Sequence, residues 1–203
     1  MAVDRGTHGG RRRGVVVRAS PPHGAEFVRR SVLVTSLVVL VVVAGLSLLL
    51  ATRHPVTNAT ETQSPLLGHR APALQGRELG GGSFSLARER GDVVVVNFWA
   101  SWCGPCRVEA PELSTFAWHE RHRGVVLVGV VFNDSLSAAS AFAQHYGSLY
   151  PSLVDPGGVF ANRFGVTSPP TTIVIDRHGR VVATLLGPTT ARQLEAVVAR
   201  VRT

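Results

Sequence analysis

The longest stretch without a charged side chain lies near the N-terminus and predicts a single membrane-spanning helix. Residues 31–51 contain no acidic or basic residue, and a helix of this length, rising about 1.5 Å per residue, crosses a hydrocarbon layer about 30 Å thick. Arg29 and Arg30 directly precede the stretch, whereas Arg53 follows it. Because basic residues remain on the cytoplasmic side, we expect the N-terminus in the cytoplasm and the residues after the span on the outer side of the cell membrane. A cleaved signal peptide and a buried soluble helix are the alternatives.

The segments on either side of this stretch are polar. Residues 1–30 are rich in Gly and Arg and show no hydrophobic period, which predicts a disordered cytoplasmic arm. Residues 52–65 contain Thr, Asn and Ser and predict a linker. A folded domain is therefore expected over residues 66–203.

Within residues 66–203, apolar runs predict an α/β domain. The runs 93–98 and 125–132 are short and continuous, as in strands buried on both faces. A short strand near 84–86 precedes them, and strands at 171–175 and 181–186 follow, joined by a hairpin turn at 176–179. The first predicted helix begins after Cys103 and runs to about His122, with a kink near Pro111. The second is capped by Ser137 and runs to about His145. Two further helices are predicted over 159–164 and 190–200. This order indicates a mixed central sheet with helices on its faces.

The net charge of +8 does not indicate a nucleic-acid partner. All 21 basic residues are Arg. Residues 1–30 carry seven Arg against two acids, and residues 52–203 carry 14 Arg against 11 acids, so most of the excess lies in the N-terminal arm. No aromatic side chains are interleaved with these basic residues, as they are in single-strand binding proteins.

Two cysteines carry the candidate chemistry. Cys103 and Cys106 directly follow the 93–98 strand and open the next helix. The unpaired N–H groups and the dipole of a helix N-terminus stabilise a thiolate there, so we predict Cys103 as the attacking nucleophile and Cys106 as the residue that resolves the mixed disulfide. A structural disulfide and half of a metal site are the alternatives. The His residues are scattered, with no spacing that complements the pair, so no metal and no cofactor beyond this redox-active disulfide is expected.

Residues 93–106, VVVVNFWASWCGPC, resemble the active-site strand and motif of thioredoxin-like proteins. The resemblance covers about residues 66–203 and includes GHRAP at 68–72, DPG at 155–157, FGV at 164–166 and PPTTIVID at 169–176. It extends to the membrane-anchored, extracytoplasmic thiol–disulfide oxidoreductases of the CcmG/DsbE, ResA and TlpA type, which serve cytochrome c maturation. This resemblance implies a thioredoxin-like three-layer fold.

The resemblance also implies further site residues. Glu109 matches the acidic residue of the cytochrome-maturation branch and shares a helix face with Cys106, three residues earlier. Burial would raise the pKa of this carboxyl, which could pass a proton to or from Cys106. Asn97 stands where general thioredoxins carry a buried Asp. The residues expected to bind substrate or shape the site are Trp102, Gly104, Pro105, Pro169, Pro170 and Thr171. Of these, Trp102 would shield the disulfide, Pro169 would tune partner choice, and Pro170 matches the family's cis-proline.

The implied function is that of an enzyme that exchanges disulfides with proteins, most simply as a reductant of apocytochrome c or of a maturation factor. Because the surroundings outside the membrane are oxidising, a transmembrane electron donor is implied for its re-reduction. A peroxiredoxin-like thiol peroxidase is one alternative, although the chain lacks a cysteine in the Pro-and-Thr setting that it needs. A copper-binding assembly chaperone is another, although it needs a wider cysteine spacing and a distant His ligand.

Overall fold

The computed structural model describes residues 24–51 and 59–202 of the 203-residue chain, and the chain divides into two compact units, residues 1–53 and 54–203. The first unit contains helix α1, Gly24–Ala51. This helix begins seven residues before the predicted span, so residues 24–30 are helical and not part of a disordered arm. Ala, Glu and Arg in this segment are good helix formers, which explains the extension. The rest of the predicted arm, residues 1–23, lies outside the described residues.

Apolar side chains of α1 are exposed from Val32 to Leu48. Over the residues that the structure describes, no helix combines the length and the hydropathy needed to cross a membrane. The predicted membrane span is therefore not confirmed and stays a prediction.

The second unit is built on a six-stranded mixed sheet in the order β1-β8-β7-β4-β5-β6. Its strands are β1 (Thr60–Glu61), β4 (Val93–Trp99), β5 (Val125–Val131), β6 (Ser152–Val154), β7 (Thr171–Ile175) and β8 (Val181–Leu186). The neighbours β5 and β6 run parallel to β4, whereas β7 runs antiparallel to it. A separate antiparallel pair is formed by β2 (Gln75–Arg77) and β3 (Ser83–Ser85).

The described residues of this unit also form four α-helices: α2 (Gly104–Glu120), α3 (Leu136–His145), α4 (Val159–Phe164) and α5 (Ala191–Val201). Alternate residues of β4 point to opposite faces of the sheet. Val93 and Val95 pack with side chains of α2 and α5, whereas Val94, Val96 and Phe98 pack with side chains of α4. The sheet is thus covered on both faces, as the sequence predicts.

Three predicted features need correction. The range predicted as a linker, 52–65, includes β1, because the edge of β8 offers backbone partners to this segment and Ala59 is buried there. The cap of α3 is Ser135 and not Ser137, since the Ser135 hydroxyl accepts the Ala138 N–H at 3.2 Å. Helix α2 ends at Glu120, two residues before the predicted end, because Arg121 leaves the helical conformation with a ψ of 129° and His122 follows with a φ of 63°. Pro111 lies inside α2, which continues through it as one helix.

The register between β4 and β7 determines which residues lie next to the cysteine motif. Phe98 pairs with Thr171, and Asn97 pairs with Thr172. The chain enters β7 from Pro170 and leaves β4 towards Cys103. This antiparallel pairing therefore brings the cysteine motif and the Pro-Pro-Thr segment to the same edge of the sheet.

Candidate active site

Cys103 and Cys106 form a disulfide at the N-terminus of α2. Cys103 is the N-cap residue, and its sulfur accepts the backbone N–H of Cys106 at 3.1 Å. Pro105 lies in the first turn, where a missing N–H costs the helix nothing. Because that N–H and the helix dipole both point at Cys103 Sγ, the position suits a sulfur that carries negative charge after reduction.

Both cysteines lie beneath the surface of the oxidised protein. Cys103 is 4% exposed and Cys106 is 2% exposed, and both pack in a small cluster with Trp99 of β4 and Phe142 of α3. The Trp99 ring stacks on Phe142 with 4.9 Å between centroids. This aromatic pair lies in the same buried cluster as the disulfide.

The loop after β5 holds the residues that lead into the motif. The Ser101 N–H donates to Asp134 Oδ2 at 2.6 Å, and the Trp102 indole N–H donates to the Asn133 carbonyl at 3.1 Å. The Trp102 ring also meets the edge of Phe132 and is 54% exposed. Trp102 thus presents an apolar surface next to the cysteines, while its predicted shielding of the disulfide stays a prediction.

The structure contains the cis peptide bond predicted before Pro170, between Pro169 and Pro170. The Pro170 carbonyl accepts the Gly187 N–H at 3.0 Å. The Thr171 hydroxyl donates to the Ser168 carbonyl at 2.7 Å. These bonds anchor the segment at the same sheet edge as the motif, and the roles of Pro169, Pro170 and Thr171 in partner binding stay predictions.

Glu109 is the buried acid of the site. It is 1% exposed and lies three residues after Cys106 on α2. Its Oε1 accepts both the N–H of Thr189 at 2.9 Å and the hydroxyl of Thr189 at 2.8 Å. Its Oε2 accepts one N–H from the Asn97 amide at 3.1 Å. Three donors among the described residues therefore satisfy this buried carboxylate.

Burial raises the pKa of Glu109 from 4.5 to about 7, because removal from water disfavours its charged form more than the bonds from Thr189 and Asn97 favour it. An acid with this pKa is present in both protonation states near neutral pH, which suits a group that takes up and returns a proton. The family resemblance implies that burial would raise the pKa of this carboxyl, and the observed direction agrees.

Two neighbours of Glu109 complete its surroundings. The Asn97 amide donates its second N–H to the Thr172 hydroxyl at 3.0 Å, and its buried Oδ1 has no hydrogen-bond partner among the described residues. Tyr150, which precedes β6 and is half-buried, has its pKa raised by burial and then by the charge of Glu109. The phenol therefore stays neutral over the range in which Glu109 titrates.

Sequence reasoning identified part of this site. The cysteine pair, Glu109 and the two prolines follow from motifs. Thr189 does not, because it lies 80 residues from Glu109 in a turn without a motif. Tyr150 has no sequence signal either, and Thr172 has only its place beside Pro170 and Thr171.

Comparisons with known proteins agree with this geometry. The model of the Redoxin family matches residues 66–199. The chain is 30% identical to thiol-disulfide oxidoreductase ResA of Bacillus anthracis over 66% of this chain and 78% of the relative. It is 39% identical to thiol:disulfide interchange protein HelX of Rhodobacter capsulatus over 62% of this chain and 70% of the relative.

Solved structures lead to the same class. A DsbF homologue from Corynebacterium diphtheriae superposes with a TM-score of 0.61 and 32% identity, covering 72% of this chain and 96% of that one. A thiol:disulfide interchange protein of the thioredoxin family from Chlorobium tepidum superposes with a TM-score of 0.62 and 27% identity, covering 70% of this chain and all of the other. The fold and the site thus define a thiol–disulfide oxidoreductase with a thioredoxin-like fold. Within that class, the chain belongs to the Redoxin family.

Proposed function

We propose that this chain is an extracytoplasmic reductant of protein disulfides in cytochrome c maturation. The observation that carries the proposal is the buried carboxyl of Glu109, one helical turn from Cys106. The resemblance to the cytochrome-maturation branch predicts an acid at this position. The relatives named ResA and HelX support the same branch.

The proposed reaction passes two electrons from the cysteine pair to a protein disulfide. The Cys103 thiolate attacks one substrate sulfur, the substrate S–S bond breaks, and the departing sulfur leaves as a thiolate that takes a proton from solvent. Glu109 then takes the proton of the Cys106 thiol. The resulting Cys106 thiolate attacks Cys103, closes the 103–106 disulfide and releases the second substrate sulfur. No group beyond the cysteine pair is required for these electrons.

The proposal includes a location in the cell and two kinds of partner. Residues 31–51 would anchor the chain in the cell membrane as a single span, with the N-terminus cytoplasmic and residues 66–203 outside. The substrate would be apocytochrome c or a maturation factor. A transmembrane electron donor would reduce the 103–106 disulfide again after each turnover.

The test uses the full chain, reduced and then freed of reductant, with an oxidised peptide that contains Cys-x-x-Cys-His, the haem attachment sequence of c-type cytochromes. We expect the chain to release the peptide thiols and to become oxidised itself. Cys103→Ser removes the nucleophile and should release none. Cys106→Ser should accumulate a covalent mixed disulfide between Cys103 and the peptide, visible by mass spectrometry.

The direction of electron flow is tested by the reduction potential of the 103–106 pair. A value far below about −200 mV is expected for a reductant, whereas a value near about −120 mV belongs to an oxidant. The assignment of roles is wrong if either cysteine variant matches the wild type in peptide reduction.

A further inference from the structure

The carboxylate of Glu109 is held mainly from the turn between β8 and α5. Thr189 supplies two of its three donors, the backbone N–H and the hydroxyl, and both donate to the same oxygen, Oε1. Thr189 is itself buried. One residue of this turn therefore fixes the position of one carboxylate oxygen.

The two oxygens of Glu109 consequently differ. Oε1 already accepts two donors, whereas Oε2 accepts only the Asn97 N–H. A carboxylate oxygen offers about two lone-pair positions, so an incoming proton finds its free position on Oε2.

Asn97 can serve Oε2 in both protonation states. Its N–H donates to the ionised carboxylate. When the amide rotates, its Oδ1 faces Oε2 in place of the N–H. This oxygen has no partner among the described residues and can accept the proton of the neutral acid. Asn97 is thus able to follow the proton, whereas the Thr189 backbone N–H can only donate and keeps Oε1 an acceptor.

The other contacts at the start of α5 do not position Glu109. Glu112, one turn along α2, accepts the Ala191 N–H at 2.9 Å. The Thr190 hydroxyl accepts the Gln193 N–H and caps α5. The first contact holds the start of α5 against α2, the second lies between α5 and its own cap, and neither is a contact with Glu109.

We propose that Thr189 is a positioning residue that holds Oε1 of Glu109, and so makes Oε2 the oxygen that exchanges a proton with the cysteine pair. The part that concerns the cysteines rests on the proposed function, whereas the part that concerns the two oxygens rests on Glu109 alone. Since the Thr189 hydroxyl bonds the ionised form, its loss should raise the pKa of Glu109 further.

Other groups that titrate or carry charge near Glu109 do not reproduce this effect. Tyr150 acts on it from the segment before β6 and stays neutral, since its own pKa is raised. Glu112 lies on the same helix and is engaged by Ala191. Asn97 of β4, Thr172 of β7 and Thr189 carry no charge, and the cysteines are joined as a disulfide in the oxidised form.

The experiment is a titration of Glu109 in the oxidised full chain, carried in detergent micelles and labelled with ¹³C at the Glu carboxyls. The NMR signal of Glu109 is identified by its absence in Glu109→Gln. We expect Thr189→Val to raise the midpoint by about one pH unit. Thr189→Ala removes the same hydroxyl without adding a methyl group and should give the same shift, should the valine variant not fold.

Two further variants are controls. Thr189→Ser keeps the hydroxyl and should titrate like the wild type. Thr184→Val removes another buried Thr hydroxyl, which has no partner among the described residues, and should not move the midpoint. The proposal is overturned if Thr189→Val and Thr189→Ala titrate like the wild type, or if Thr184→Val shifts equally.

A second measurement, the rate of peptide reduction against pH, tests the link to the cysteines. We expect the ionisation that limits this rate to move upward in Thr189→Val by the same interval as the titration. A shifted titration with an unshifted rate profile would overturn that link. Failure of the proposed function gives a different result, because the wild type would then reduce no peptide at any pH while the titration could still be measured.

Discussion

At the scale of single residues, the burial of Glu109 makes stability depend on pH in a predictable direction. In the folded protein its pKa is about 7, against 4.5 for an ordinary Glu. Between these values the folded state holds a proton that the unfolded state has lost. Where the folded state binds more protons than the unfolded state, the free energy of unfolding falls as the pH rises. Glu109 therefore makes the folded protein less stable as the pH rises from about 4.5 to 7.

We therefore predict that Glu109→Gln removes this part of the pH dependence. The wild type should lose up to about 3 kcal/mol relative to the variant between about pH 4.5 and pH 8, since one pKa unit corresponds to about 1.4 kcal/mol. The glutamine amide can still be satisfied, because the Asn97 amide can rotate to accept from it. Urea unfolding of the oxidised proteins at both pH values measures the difference.

A matched control is Glu112→Gln, which changes an acid one turn further along α2 that bonds the Ala191 N–H. This variant should keep the pH dependence of the wild type. If Glu109→Gln and the wild type lose the same stability over this range, the raised pKa of Glu109 is wrong.

The residues of the site differ in how far the sequence predicts them. Cys103 caps α2, and Cys106 and Glu109 lie within it, so their spacing alone places them on one face. Thr189 and Glu109 come together only through the docking of α5 on α2. A contact between residues 80 positions apart depends on the packing of the whole unit, and no local pattern near Thr189 records it.

At the scale of elements, predicted and observed bounds agree wherever burial determines the element. The strands β7 and β8 and the helix α4 have their predicted bounds. The strands β4 and β5 differ from prediction by one residue at one end. The strands are made mostly of buried side chains, and α4 buries Phe160, Ala161 and Phe164 at helical spacing. Such burial leaves a clear pattern in the sequence.

The elements that the sequence did not locate are short and depend on their partners. The strand β1 has two exposed residues and exists because β8 pairs with it. The strand β2 is exposed and pairs with β3, and β6 extends the sheet beside β5. A strand of two or three residues shows no period, so only its hydrogen-bonding partner defines it.

The corrected start of α3 leads to a prediction about stability. Ser135→Ala removes the hydroxyl that accepts the Ala138 N–H and should lower the free energy of unfolding by about 1 kcal/mol. Ser137→Ala, at the position that the sequence suggested as the cap, should have a much smaller effect. Denaturant unfolding of both variants measures the difference, and a larger loss in Ser137→Ala would contradict the cap seen in the structure.

At the scale of the whole molecule, the predicted orientation in the membrane can be tested in cells. Arg residues are concentrated before residue 31, so we predict that the redox domain faces outward. Alkaline phosphatase, which needs an oxidising compartment for its disulfides, should be active when fused after residue 203 and inactive when fused after residue 30. The reverse pattern would show that the orientation is wrong.

The order in which the ribosome makes the chain gives the contact between Glu109 and Thr189 a further meaning. Both cysteines and Glu109 are synthesised at least 80 residues before Thr189. A nascent chain that ends before residue 189 carries the thiols but lacks the partner of Oε1. The carboxylate of Glu109 can therefore reach the arrangement seen in the structure only after Thr189 has been added and α5 has docked on α2.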